Sequence, residues 1–305
     1  MKTDRHEPAY LKLYREGLLS SRVRQALDLL KDCCLCPRAC HVDRLSGEQG
    51  VCRTGARAKV ASFHPHFGEE APLVGSAGSG TIFMSSCNLY CSFCQNFEIS
   101  HLKEGEEVEP HRLADMMLRL MKLGCHNINL VTPSHVVPQI LQALFIAVGQ
   151  GLNIPLVYNS GGYDSADTIR RLDGVFDIYM PDFKFWEEAW ATRFCQAPDY
   201  REQATAAIRE MHRQAGDLVL DHAGLAVRGL LVRHLVMPNG LAGTREVMTF
   251  LAEEVSPDTY VNVMAQYHPC GKATGDPMID RRITPAEYAA AVREAVAAGI
   301  RRLDR

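Results

Sequence analysis

"TIFMSSCNLYCSFCQN" (residues 81–96) decides how this chain is read. Its first four residues are apolar or β-branched, the composition of a short buried strand. Cys87, Cys91 and Cys94 follow within eight residues. One loop of that length can wrap a compact inorganic cluster, and iron–sulfur cubanes are held by thiolates. Four sulfurs would close a tetrahedral site; three leave one position open, as catalytic metal centres do. The competing reading is a zinc knuckle completed by a distant ligand, although zinc sites usually pair two C-x2-4-C or H-x3-5-H halves.

The strand at 81 opens a series. Similar runs recur at "NINLV" (127–131), "PLVYN" (155–159), "FDIYM" (176–180), "RGLLVRHLVM" (228–237) and "YVNVM" (260–264). Helical patterns separate them. Residues 109–123 gather Leu113, Met116, Met117, Leu120 and Met121 on one face and stop at Gly124. In the last helix Thr284 caps, Pro285 suits the first turn and Glu287 completes a capping box. Near the start, residues 9–31 predict one helix.

Strands that are apolar almost throughout, alternating with helices, indicate an α/β fold with a parallel sheet covered by helices. Six βα units fall short of the eight of a closed barrel, so the expectation is an open, partial (β/α)6 TIM-like barrel. A doubly wound sheet is the alternative. "HPHFGEEAPLVGSAGSG" (64–80) reads as a connector, its "GSAGSG" as a flexible one. It divides a helical, Cys-rich segment (1–74) from the barrel (75–305).

Polar side chains collect where the runs end. Thr132 and Ser134 follow the second, Asn159 ends the third, and Asp182 and Lys184 follow the fourth. Arg233 lies within the fifth, and Gln266 and His268 follow the sixth. Active sites of parallel α/β folds lie at the C-terminal strand ends. A guanidinium inside an apolar run needs a fixed anionic partner, either Asp182 or a bound carboxylate. His234 points to the opposite face and reads as structural.

Composition narrows the classes. Thirty-three basic and thirty-six acidic residues give a net charge of −3, with no basic face or charge block to suggest nucleic acid or an anionic membrane. No apolar run approaches a membrane-spanning length, and "MKTDRHEPAY" has no signal-like apolar region, so a cytoplasmic protein is expected. Eleven cysteines, an odd number in two tight groups, point to metal or redox chemistry rather than a disulfide framework.

The CxxxCxxC spacing with Phe93 before its last cysteine resembles the signature of radical S-adenosylmethionine (SAM) enzymes. "CNLYCSFCQN" is similar to the branch containing pyruvate formate-lyase activating enzymes. "CPRAC", "GSGTIF", "NINLVTPSH", "YMPDFK" and "RHLVMP" resemble its PflX-type offshoot. The resemblance implies a partial barrel and a [4Fe-4S] cluster on Cys87, Cys91 and Cys94 whose open iron chelates SAM. It also implies reductive cleavage to a 5′-deoxyadenosyl radical that abstracts hydrogen from a substrate, and an electron donor such as flavodoxin or ferredoxin. It places Phe93 near the adenine, Asp182 and Lys184 on SAM, and Arg233 on the SAM carboxylate. Relatives usually carry Gly-Gly-Glu after the second strand; here Val131-Thr132-Pro133-Ser134-His135 stands instead, leaving Thr132, Ser134 and Asn159 as candidate acceptors for the SAM amino group. The substrate is either a glycyl-radical enzyme or a small metabolite. The reading from another class is a non-catalytic iron–sulfur or zinc redox protein.

The second group offers Cys33, Cys36, Cys40 and Cys52, with Cys34 spare. Four thiolates fill a zinc ion or a second [4Fe-4S] cluster, as a structural staple or an electron relay. His64, His66, Glu69 and Glu70 read as solvated linker residues. Cys125, Cys195 and Cys270 read as small core residues, Cys270 being placed near a strand end.

Overall fold

The computed structural model describes residues 6–304, so residues 1–5 and 305, which the two expected segments include at their ends, lie outside the described residues. Helices α1 (Ala9–Arg15) and α2 (Leu18–Asp28) replace the single helix expected over 9–31. The break falls at Gly17, whose φ of 72° takes the left-handed turn that ends a helix.

Strand β1 (Ala58–His66) follows, then the short helix α3 (Ala71–Val74), β2 (Ser79–Met84), α4 (Phe97–Ser100) and β3 (Glu106–Val108). The expected connector is therefore largely structured. Gly78 N–H donates to Val74 O at 2.8 Å and Gly80 N–H to Asn127 O at 3.1 Å, so the glycine-rich piece is a hydrogen-bonded turn into β2 rather than a flexible tether.

From there α5 (Pro110–Lys122), β4 (Ile128–Val131), α6 (Val137–Gly149), β5 (Leu156–Ser160), α7 (Ala166–Arg171) and β6 (Ile178–Pro181) alternate. Helices α8 (Glu188–Cys195) and α9 (Tyr200–Ala215) precede β7 (Val219–Leu220) and β8 (Ala226–Leu235). The chain closes with α10 (Thr244–Phe250), β9 (Tyr260–Met264), α11 (Pro285–Ala297) and β10 (Arg302–Leu303). The capping box read at Thr284 and Glu287 is formed. Among the described residues no helix is long and apolar enough to cross a membrane.

The sheet runs β10-β9-β8-β6-β5-β4-β2-β1-β3, parallel from β10 to β2 and antiparallel where β1 joins β2 and β3. Along its parallel part the order follows the chain without reversing. A doubly wound sheet would reverse at a switch point. The sheet is open, because β1 covers the free edge of β2.

Side-chain alternation gives the sheet two faces. Ile82, Leu130, Leu156, Tyr158, Tyr179, Leu230, Val232, Val261 and Val263 pack in the large core shared with the helices. On the other face Val157, Ile178, Met180 and Leu231 form a smaller core closed by Leu73 and Leu218. Burial on both faces explains why the strands read as unbroken apolar runs. On that second face the strands turn polar toward their carboxyl ends, at Asn159, Asp182, Arg233 and Asn262. The site lies there.

Candidate active site at the carboxyl edge of the sheet

The cysteine loop leaves β2 and is pinned on several sides. Ser86 N–H donates to Ile99 O (2.8 Å), Ser92 N–H to Phe194 O (2.7 Å), and Asn88 Nδ2 to Tyr163 O (2.7 Å). Ser86 and Tyr90 hold positive φ of 72° and 54°, strain that the surrounding bonds maintain. Leu89 N–H points at Cys87 Sγ (3.3 Å) and the Ser100 hydroxyl at Cys94 Sγ (3.2 Å). Such donors favour thiolates over thiols.

Without a metal the sulfurs are thiols. Burial pushes Cys87 up to about 12, with Cys91 and Cys94 adding to the rise. Cys91 is raised well above the usual thiol value, first by its hydrogen bond with Cys195 and then by burial; Cys94 is raised by burial and by Cys91. Three crowded thiols with donors aimed at two of their sulfurs suit a metal that displaces their protons. Among the described residues no three Cys, His, Asp or Glu side chains meet closely enough to hold one metal ion. A cubane asks something different, since each thiolate binds a separate iron. The donor set fits a cluster on Cys87, Cys91 and Cys94.

Beside the loop runs a row of charges. Lys184 Nζ donates to Asp182 Oδ2 at 2.6 Å; Arg233 Nε donates to Asp182 Oδ1 at 2.8 Å and Nη2 to Asn159 Oδ1 at 2.7 Å. Burial alone would raise the Asp182 carboxyl, but Arg233 and Lys184 outweigh it and hold it below the usual carboxylate range. Burial opposes the charge on Lys184, yet Asp182 and Cys91 together raise it well above an ordinary lysine. Lys184 in turn lowers Cys91 and Cys94, so the row reaches the thiols electrostatically. The fixed partner of Arg233 is thus Asp182, with Asn159 and Glu69 (3.5 Å) beside it.

The remaining expected residues are divided. Phe93 is buried edge-on against Phe185 and Tyr267 (centroids 5.7 and 6.1 Å). Thr132 holds a positive φ of 61° and its N–H donates to Asn159 O (2.8 Å), keeping it at the strand ends. Ser134 lies apart, buried beside a knot in which the Tyr158 and Ser160 hydroxyls donate to Asp164. His234 is structural: its Nδ1–H donates to Phe183 O (2.8 Å) and its Nε2 accepts from the Thr244 hydroxyl (2.9 Å).

Several site residues were not legible. Glu69 and Glu70 are not solvated linker residues: Glu70 is buried and accepts from Asn262 Nδ2 (2.9 Å), and the Glu69 side chain, 8% exposed, lies against Arg233. With Arg233, Asn262 and Gln266 they line an open cleft of about 510 Å³. Cys195 is more than a core filler, since its sulfur lies 3.4 Å from Cys91 Sγ. Cys270 donates to Phe93 O at 3.1 Å. No short-range pattern announces these contacts, which join positions up to 192 residues apart.

The four N-terminal cysteines Cys33, Cys36, Cys40 and Cys52 line one small pocket with Arg38, Arg44, Gly50 and His135. Its wall meets the triad loop: Arg38 Nε donates to Asn88 O (2.9 Å), and Asn88 Oδ1 lies 4.0 Å from Cys87 Sγ.

No protein-family model matches the chain. Among solved structures it is similar to HydG, a maturase of the [FeFe]-hydrogenase, at TM-score 0.49 and 11% identity over 73% of this chain. It is also similar to methylornithine synthase (PylB), at TM-score 0.46 and 14% identity over 73% of this chain. The chain spans 50% of the first and 63% of the second. Among curated proteins, the uncharacterized protein MJ0674 of Methanocaldococcus jannaschii is 32% identical over 284 residues, which cover 91% of this chain and 78% of the relative. The chain belongs to the family of that protein.

Proposed function

We propose that the protein is a radical SAM enzyme. The observation that carries this reading is the placement of Cys87, Cys91 and Cys94 on one pinned loop at the carboxyl edge of a parallel sheet, beside Lys184, Asp182 and Arg233. The three thiolates would hold a [4Fe-4S] cluster with one iron free for SAM. The chemistry such a pair supplies when bound is one-electron cleavage of the sulfonium carbon–sulfur bond and hydrogen abstraction from a substrate.

The chain's own part is to bind and orient. Lys184 and Asp182, fixed on each other, present an ammonium and a carboxylate edge to a zwitterionic methionine or to a ribose. Arg233, bonded by Asp182 and Asn159, presents its remaining N–H groups toward Glu69 and the cleft. Phe93, packed on Phe185 and Tyr267, is an apolar wall that keeps water from the thiol loop. Topology agrees: seven parallel strands in unreversed order, the short β10 at one end, with an open edge are what a partial barrel requires.

A flavodoxin- or ferredoxin-type donor supplies the electron. The hydrogen comes either from a protein glycine, as in activation of pyruvate formate-lyase, or from a small metabolite. The test is anaerobic reconstitution followed by reduction in the presence of SAM. The expected result is a cubane signal by EPR and 5′-deoxyadenosine as product, both lost in Cys91→Ala. A reduced, cluster-loaded protein that yields no 5′-deoxyadenosine would instead favour an electron-carrying protein.

A further inference from the structure

We propose that Cys33, Cys36, Cys40 and Cys52 hold a second [4Fe-4S] cluster through four thiolates, one to each iron, with Arg44 as its buried counter-charge; a single ion would need sulfurs that meet, which these do not. The proposal is independent of the SAM reading. Cys33, Cys36 and Cys52 are each under 10% exposed, and with Cys40 they face one pocket. The loop folds tightly over Cys40. Val51 N–H points at its sulfur (3.3 Å), and a Cβ on Gly50 would sit 2.6 Å from that sulfur. Ala39, His41 and Arg53 all hold positive φ, an accumulation of strain that a segment this poor in apolar residues does not sustain unaided. Its own core amounts to Leu30, Cys33 and Leu35 with Leu27, Leu29 and Val42.

Two buried polar groups mark the pocket: Arg44 carries the assignment, and His135 borders it. Arg44 is 1% exposed, yet its bonds go to Gly55 O, His135 O and Cys33 Sγ (3.9 Å), and among the described residues no carboxylate pairs with it. A guanidinium buried without an anion is costly. Arg38, on the same pocket, likewise bonds carbonyls of Asn88, Cys195 and Gln196 and lies over Tyr163. Four thiols are neutral and would leave the buried Arg44 uncompensated. Four thiolates around a doubly charged [4Fe-4S] core carry a net double negative charge, which the buried Arg44 and the half-buried Arg38 balance.

The second group is His135. Its Nε2 lies 2.9 Å from Ser85 O, a carbonyl that only accepts, so Nε2 carries the hydrogen. Nδ1 is then a lone pair, and among the described residues it is buried without a partner on a residue that lines the thiol pocket. Metal binding there takes up thiol protons onto solvent and leaves the redox state of the protein unchanged.

The test uses the full chain with Cys87, Cys91 and Cys94 all changed to Ala, so that any metal found is not the triad's. Purified with zinc, and separately reconstituted with iron and sulfide, this variant is expected to keep no zinc and one coloured cluster per chain, with iron and sulfide in equal amounts. Retention of one zinc ion in place of the cluster would overturn the assignment. X-ray absorption at iron on this variant should show sulfur-only coordination. Adding Cys36→Ser and Cys52→Ser should abolish retention. Arg44→Met should weaken it at least tenfold in a chelator competition, and Arg44→Lys should restore part of the loss. A triple-Ala variant that is folded by circular dichroism, binds neither metal, and has its four N-terminal thiols freely alkylated would overturn the proposal.

Discussion

Asp182 is the most informative single substitution, because one carboxylate holds two buried cations. Lys184 at 2.6 Å and Arg233 at 2.8 Å are 15% and 18% exposed, and Asp182 is 14% exposed. Asp182→Asn keeps the shape and removes the charge, leaving an ammonium and a guanidinium facing each other in a poorly solvated site. Removing one partner of a buried ion pair costs about 3–5 kcal/mol; residual solvent access places this case at about 3 kcal/mol. At roughly 2 °C per kcal/mol for a chain of this size, melting should fall by about 6 °C at pH 7. Because the native carboxyl lies below its unfolded value, its contribution is complete above about pH 4 and is lost as pH falls through the native value. Wild type and variant should therefore converge in acid. The double variant Asp182→Asn/Lys184→Met should recover a good part of the loss, since it removes one stranded cation. Thermal melts of the three proteins across pH decide the matter. A single variant that melts within about 1 °C of wild type at pH 7 would show that the row is solvated and not a fixed charge network.

Other outcomes follow from specific contacts. Cys195→Ala should retain the iron and the SAM cleavage of wild type; if Cys195 were the fourth ligand, the wild type would be inactive and the variant active, by metal analysis and product chromatography. Burial holds His135 and His234 down to about 4, so the unfolded chain binds their protons near pH 6.5 first and stability should decline from about pH 6.5 to about pH 4. His234→Gln should flatten that decline in melts taken over the same range. Thr284→Ala removes the cap of α11 and should cost about 1 kcal/mol, visible as a small drop in melting temperature with SAM cleavage unchanged.

The regular elements were legible where local chemistry is decisive. Leu130, Tyr158, Tyr179 and Val232 fall in strands that are buried on both faces, so composition alone marked them. The capped helix at Thr284 was equally plain, since a cap is a four-residue event. β1 was missed because "AKVASFHPH" mixes charge, two histidines and a proline; its role comes from pairing with β2 as an antiparallel edge, which no short window records. The split of the first helix hung on one glycine within a continuous apolar stripe.

By itself, then, the sequence determined the thiol triad, the parallel strand series and the charges at the strand ends, because spacing and periodicity are properties of neighbours in the chain. Tertiary structure decided which of those charges pair. It set Arg233 on Asp182, brought Glu69 and Glu70 into the cleft, laid Cys195 against Cys91, and placed Arg44, which pairs with no carboxylate among the described residues, beside four thiols. Those are meetings of residues far apart in the chain. They follow from how the sheet is ordered and which face each strand buries, and only the folded chain states them.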